Sequence, residues 1–418
     1  MNQKNVHTPE GVRDIYPLEC RQKLVLQSEL HKTIRGYGYQ DIQTPTLEFS
    51  EVFSKELGSV EAKELYRFFD RDGNILVLRP DITPSIARAL TTVLESADAF
   101  GKYCYTGNTF INHTSYQGRL KENTQLGAEM IGIDSVEADA EMLAMVADLL
   151  KTVELDEFQI SLSHVAFMNS LLEEAALDTE TEETIREFCE NKNYFGMEEV
   201  LVKCELDEAL LEAFHVLPEL VGGVEVLEKA KKVAPNASAL EAISRLEAIV
   251  EVLDMYGVLN YVSFDLSMTG TYGYYTGIIF RAYTFGIGDA VVKGGRYDQL
   301  LSKFGKDFPA IGFAITVDEL FNALTRQKVD VKYELDNHIL LFDAGMQHKA
   351  IRLAKSFRKN GRVTEIVKKD EIFKMDYYTE YGRKNFGKYM LYLKENNTVL
   401  AVNLLDGSMQ EVDMGTSV

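Results

Sequence analysis

The segment Gly270-Thr-Tyr-Gly-Tyr-Tyr-Thr-Gly-Ile-Ile-Phe280, followed by Gly294-Gly-Arg-Tyr-Asp298, does most to constrain the fold of this chain. From Tyr261 to Ala314 the sequence is strand-like, with aromatic and β-branched runs punctuated by glycine. It follows directly on residues 170–255, which are rich in Glu, Leu and Ala and poor in turn residues, as in Leu171-Leu-Glu-Glu-Ala-Ala. A helical block between two strand-bearing regions implies a sheet that begins in the N-terminal part, is interrupted by an acidic helical insertion, and is completed after it. Charge runs on helices usually face water, so the insertion reads as a solvated bundle packed on the main domain.

A chain of 418 residues exceeds one compact core and is expected to hold two or three domains of roughly 100–200 residues. The 44 basic residues against 65 acidic ones give a formal charge of −21, which opposes nonspecific attraction to nucleic acid or to anionic membranes. No run of about 18 apolar residues is present, and the first residues lack an apolar signal core; a cytoplasmic protein is expected. Cys20, Cys104, Cys189 and Cys204 are scattered, with no C-x-x-C pair or histidines at ligand spacing, so neither a disulfide framework nor a metal site is suggested.

Local signals fill in the N-terminal region. Leu24, Leu26, Leu30 and Ile34 predict an amphipathic helix from Leu18 to Gly36, and a strand follows from Tyr39 to Pro45. Phe68 to Leu78 reads as a hairpin about an Asp-Gly turn. Pro84 to Leu94 reads as a helix, with Thr83 placed to cap it. From about residue 330 a third unit begins: His338 to Asp343 predicts a strand, Gln347 to Asn360 a basic helix ended by Gly361, and Val363 to Val367 a second strand. Paired strands at Tyr389 to Leu393 and from Thr398 onward close it.

Several motifs stand in order along the chain: Thr8-Pro-Glu-Gly-Val-Arg-Asp-Ile-Tyr-Pro17, Thr44-Pro-Thr-Leu-Glu48, Leu78-Arg-Pro-Asp-Ile-Thr-Pro84, Gln117-Gly-Arg-Leu-Lys-Glu122 with Gln125-Leu-Gly-Ala-Glu129, and the two glycine-rich segments. Together they resemble the histidyl-tRNA synthetase family over nearly all of residues 7–320. The likeness extends to its noncatalytic branch, whose members serve as regulatory subunits for a short-form ATP phosphoribosyltransferase catalytic subunit in histidine biosynthesis. This resemblance implies an α/β (α+β) fold: a class II aminoacyl-tRNA synthetase-like antiparallel sheet with flanking helices over 1–168 and 257–325, a helical insertion over 169–256, and a small C-terminal α/β domain over 330–418 resembling a shortened anticodon-binding domain.

Arginine separates the catalytic branch from the other. A class II synthetase clamps ATP and the amino-acid carboxylate with guanidinium forks, which are planar and permanently charged. At the matching positions this chain has Ile111 after Phe110, Gly270 before the paired tyrosines, and Glu319 at the end of Gly312-Phe-Ala-Ile-Thr-Val-Asp-Glu. Each charged hydrogen bond is worth about 1.5–3 kcal/mol, so losing three removes adenylation by several orders of magnitude. By the same resemblance, residues for free histidine are kept: Asp81, Thr83 and Gln125 toward the α-ammonium, Glu129 and Tyr275 toward the imidazole, Tyr274 as a wall, and Arg119 as the best remaining donor for the carboxylate. No cofactor is implied.

Each of these residues also has a purely structural reading. Tyr274 and Tyr275, placed in a strand, could be core packing; Asp81 could be a helix-start residue; Arg119 could be a solvated loop charge. Gly294, Gly295 and Arg296 are read as shaping a tight turn that supports the site. Two other functions use the same motifs: an active synthetase, for which the basic residues between His348 and Lys388 would meet RNA, and a freestanding histidine sensor. The leading expectation is a noncatalytic regulatory subunit that binds histidine and forms a homodimer, through the region around Pro45, inside a larger complex.

Overall fold

The computed structural model describes residues 7–53, 60–94, 100–113, 119–270, 273–396 and 398–413. Gln117, Gly118, Thr271 and Tyr272 of the motifs above lie outside the described residues. The chain divides into two compact units, residues 1–331 and 332–418.

In the first unit the helix Pro17–Gly36 forms as its spacing predicts, burying Leu26, Leu30 and Ile34 on one face. The hairpin pairs Arg67–Phe69 with Ile75–Leu78, and the Asp70 carboxylate accepts the backbone N–H groups of Asp72 and Asn74. Gly73, at φ +84°, supplies the left-handed residue this turn needs. The predicted strand from Tyr39 shrinks to Gln40–Asp41.

Nine strands build the main sheet in the order Gln40–Asp41, Gly101–Phe110, Glu122–Ile131, Ala310–Thr316, Val292–Arg296, Ile278–Thr284, Phe158–His164, Val262–Asp265, Val221–Gly222. The six from Gly101–Phe110 to Phe158–His164 pair antiparallel throughout. Strands from before and after the helical segment therefore alternate within one sheet. The fold is that of a class II synthetase core.

One face of this sheet is covered by Val136–Thr152, a helix capped by the Ser135 hydroxyl and buried along almost its whole length. The helices between Val165 and Met255 add Phe167, Phe214, Ile243, Leu246 and Ile249 to the same continuous core, so their apolar faces are not solvated. Inside that core lies a charged group. Asp139 is fully buried, and its carboxylate accepts from Arg296 at 2.6 Å and from Arg245, on the helix Ala237–Met255, at 2.8 Å. Burial raises the Asp139 pKa, and the two guanidiniums offset only part of that rise.

The second unit has a five-stranded sheet in the order Thr364–Lys368, Asn337–Phe342, Gly387–Leu393, Thr398–Asn403, Met409–Asp413. The first three are parallel neighbours, as strand, helix, strand patterning predicts. The helix Gln347–Lys359 covers one face and Met375–Lys384 the other.

Removing the acid while leaving two guanidiniums buried is costly. Asp139→Ala is expected to lose about 3–5 kcal/mol in urea unfolding. A loss below about 1 kcal/mol would show that the triad contributes little to holding the helical segment on the sheet.

Candidate functional site

A cavity in the first unit follows from strand alternation. Along Glu122–Ile131, Leu126, Ala128 and Met130 point into the core, while Gln125, Gly127 and Glu129 point to the opposite face. Register then sets Gly312 beside Glu129 and Ala314 beside Gly127, with Gly295 and Lys293 next in line. Asp81, Thr83, Gln125, Glu129, Tyr274 and Tyr275 all line this one cavity, joined by Lys293 and Tyr297. About 290 Å³ separates their atoms, of which only about 20 Å³ is open to the centre of a water molecule. An amino acid enters only by displacing side chains.

Two glycines, Gly312 and Gly295, make room for the cavity, and Gly294 makes room for the core on the other face of the sheet. A Cβ on Gly312 would lie 1.6 Å from Glu129 Oε2 and 2.7 Å from the carbonyl of Ala128. A Cβ on Gly295 would meet the Tyr275 ring at 2.7 Å, and one on Gly294 the Phe280 ring at 2.3 Å. Gly294, Gly295 and Arg296 therefore do not shape a turn: they lie in the strand Val292–Arg296, where rings and carbonyls from both neighbours press in. Tyr274 and Tyr275, expected in a strand, instead precede Ile278–Thr284.

The polar groups form two linked sets. Glu129 accepts hydrogen bonds from Thr83 Oγ1 at 2.7 Å and Tyr297 O–H at 2.5 Å. Thr83, expected to cap its helix, begins it without a side-chain cap bond and gives its hydroxyl to Glu129. Asp81 Oδ1 accepts from the Ile82 N–H at 2.7 Å and from Gln125 Nε2 at 3.3 Å, and Oδ2 from Tyr274 O–H at 3.3 Å. Asp81 thus meets the residue before the helix through Oδ1 and other cavity residues through both oxygens. Gln125 Oε1 is buried with no donor among the described residues.

Burial dominates the electrostatics. It pushes the Glu129 carboxyl up to about 8, against the pull of the Tyr297 and Thr83 hydroxyls, and raises Asp81 as well. Lys293 brings the cavity's cation, ion-paired at 3.1 Å with Asp289. Sequence reasoning missed it and named Arg119 instead. Arg119 does not line the cavity: its side chain is 56% exposed, and its guanidinium reaches the same Asp289 at 3.9 Å. The signal was the position of Lys293, two residues before Gly295 on the strand and therefore on the same face.

The positions where a synthetase holds ATP are occupied otherwise. Ile111 is half-buried after the strand Gly101–Phe110, Gly270 precedes the undescribed residues, and Glu319 stands in the first turn of the helix Val317–Gln327. Its neighbour Asp318 is buried against Lys23 at 2.7 Å. Elsewhere His31, Asp41 and Cys104 come within 4.8 Å of one another, which their sequence spacing hid. Asp41 already pairs with Arg35, and burial pushes the Cys104 thiol up to about 12, opposite to what a metal thiolate requires.

The fold around this cavity is that of a class II synthetase-like domain, and the family model described as histidyl-tRNA synthetase matches residues 11–320. The chain is 37% identical over 366 residues to the ATP phosphoribosyltransferase regulatory subunit of Acetivibrio thermocellus, covering 88% of each chain. It is 34% identical over 418 residues to that of Ruminiclostridium cellulolyticum, covering 100% of this chain and 99% of the relative. A solved structure described as an ATP phosphoribosyltransferase regulatory subunit/histidyl-tRNA synthetase from Bacillus halodurans superposes with a TM-score of 0.81 at 29% identity, over 93% of this chain and 98% of that one. Histidyl-tRNA synthetase from a Nostoc species, at 17% identity and a TM-score of 0.79 over 97% and 96%, shares the fold. The chain belongs to the ATP phosphoribosyltransferase regulatory subunit family.

A carboxyl whose folded-state pKa is raised stabilises the fold fully below its ordinary pKa of 4.5 and loses that contribution as pH climbs through about 8. Between pH 6 and 8.5 the unliganded protein should therefore lose about 2 kcal/mol relative to Glu129→Gln in urea unfolding. Parallel pH profiles for the two proteins would mean that Glu129 is ionised throughout.

Proposed function

We propose that this chain is a noncatalytic subunit that binds free histidine in the Asp81–Glu129 cavity and is required by a short-form ATP phosphoribosyltransferase catalytic subunit for activity and for feedback control. The reading rests above all on one contrast: buried acids and an unpaired amide oxygen suit an ammonium and an imidazole, while the cations that would hold a triphosphate are replaced. Asp81 and Gln125 Oε1 receive the α-ammonium, Glu129 and Tyr275 the ring, and Lys293 rather than Arg119 the carboxylate. Tyr274 closes over the ligand from the loop before Ile278–Thr284. Reporting histidine to a partner needs only about 1–3 kcal/mol of differential binding between two states of the assembly.

Calorimetry on the purified chain is expected to show histidine binding that Asp81→Ala weakens at least tenfold, equal to about 1.4 kcal/mol, with no histidine-dependent pyrophosphate exchange. Robust exchange would make it a synthetase. Histidine binding with no effect on any short-form catalytic subunit would favour a freestanding sensor.

A homodimer has support of its own. Leu47 and Phe49, on a three-stranded sheet, are 48% and 53% exposed, and their register partners Leu78 and Leu76 are only half-buried. Such an apolar face suits an isologous contact with a second copy. Phe49→Asp should therefore convert a dimer to a monomer in size-exclusion chromatography with light scattering. An unchanged mass would place the dimer contact elsewhere.

A further inference from the structure

The second unit departs from the acidity of the whole. Residues 332–418 carry fourteen lysines and arginines against twelve acids, in a chain whose formal charge is −21. Part of that basicity surrounds a groove of about 420 Å³ lined by His338, Phe357, Arg362, Lys388, Tyr389 and Leu391. Its side chains form a continuous row: Arg362 lies 5.1 Å from the Phe357 ring, Phe357 6.0 Å from His338, His338 5.9 Å from Tyr389, and Tyr389 5.9 Å from Lys388 Nζ.

Backbone geometry fixes this row. Strand register sets His338 beside Tyr389 on parallel neighbours, Phe357 descends from the helix Gln347–Lys359, and Arg362 follows Gly361, whose φ of +76° ends that helix. His338 Nδ1 lies 3.0 Å from the carbonyl oxygen of Asp336, which can only accept, so in the neutral ring Nε2 is an acceptor. Some other basic groups of this unit are occupied, Lys384 by Glu380, Lys394 by Glu411 and Arg358 by the Thr364 carbonyl. Arg362 and Lys388 have no acidic partner among the described residues, and both are exposed.

Three rings flanked by two uncompensated cations exclude a cationic ligand and suit a planar anion. Tyr389, 36% exposed, offers a stacking surface, and base-on-aromatic stacking is worth about 1–3 kcal/mol. A long polyanion would also meet the acidic remainder of the protein, whereas a small one is screened from charges beyond about 8 Å at physiological salt. We propose that this groove binds a mononucleotide, with the base against Tyr389 and His338 and the phosphate held by a cation at one end of the row, Arg362 or Lys388. This is independent of the histidine cavity, which lies in the other unit.

The test is calorimetric titration of the full chain with AMP, adenosine, inorganic phosphate and a single-stranded oligonucleotide. Each is repeated on Arg362→Gln/Lys388→Gln and on Tyr389→Ser, with histidine binding and circular dichroism as controls for folding. AMP should bind at least tenfold more tightly than adenosine or phosphate. The double substitution should weaken AMP at least tenfold, and Tyr389→Ser should weaken AMP but not phosphate. AMP binding that the double variant leaves unchanged, or none up to about 1 mM, overturns the proposal; binding of the oligonucleotide alone overturns it in favour of a nucleic-acid surface.

Discussion

Glu129 buried over Gly312 is the contact on which the cavity depends. The carboxyl stands where a Cβ on the next strand would be, so the two strands approach only because one of them has no side chain at that point. Such an acid is costly unless its oxygens are met, and Thr83 and Tyr297 meet them from a helix start and a strand end. The three elements are thereby drawn to one point. Asp81, two residues before Thr83, is carried in with them and recruits Gln125 and Tyr274. The polar groups thus organise the cavity while the apolar residues of the opposite face fill the core.

Rigidity beneath this site comes from a second buried charge. Asp139 ties Arg296, at the end of a cavity strand, to Arg245 on a helix of the inserted segment. Arg296 also reaches Asp298, which accepts from Thr276 just after the paired tyrosines. On the far side, Lys192 of the helical segment donates to Asp265 and Ser267, and Glu190 binds Arg281 and Thr269, at the start of the loop that leads to Tyr274. The inserted helices therefore hold both ends of the tyrosine loop. Both contacts tie the helical segment to residues that flank the paired tyrosines.

Much of this was legible in the sequence because local rules and long-range packing agreed. Leu26, Leu30 and Ile34 gave a helix, and Asp70 to Asn74 a turn. Where readings failed, tertiary contacts had overridden local preference. The glycines before Arg296 look like a turn but serve close packing between strands, and Thr83 looks like a cap but is claimed by a buried acid. Lys293 was passed over because the glycines after it read as a turn, which hid its place two residues before Gly295 on one strand face. The helix Met375–Lys384 has few strong helix formers and is held by Tyr378 packing into its unit's core, a contact no window of sequence contains.

Electrostatics decides which ligand such a cavity can keep. A triphosphate brings several negative charges, and within a low-dielectric site beside Asp81 and Glu129 each would be repelled unless matched by a fixed cation. The cavity supplies Lys293, itself shared with Asp289, and Glu319 stands where the catalytic branch has an arginine. An amino acid brings one ammonium and one carboxylate, a balance that two acids and one lysine can meet with the ring's nitrogens satisfied by Glu129. On the proposed reading, the same substitutions that disfavour a nucleotide leave the groups that suit a zwitterion in place. Loss of one chemistry and retention of the other need no rebuilding of the sheet, only a change of charge at its rim.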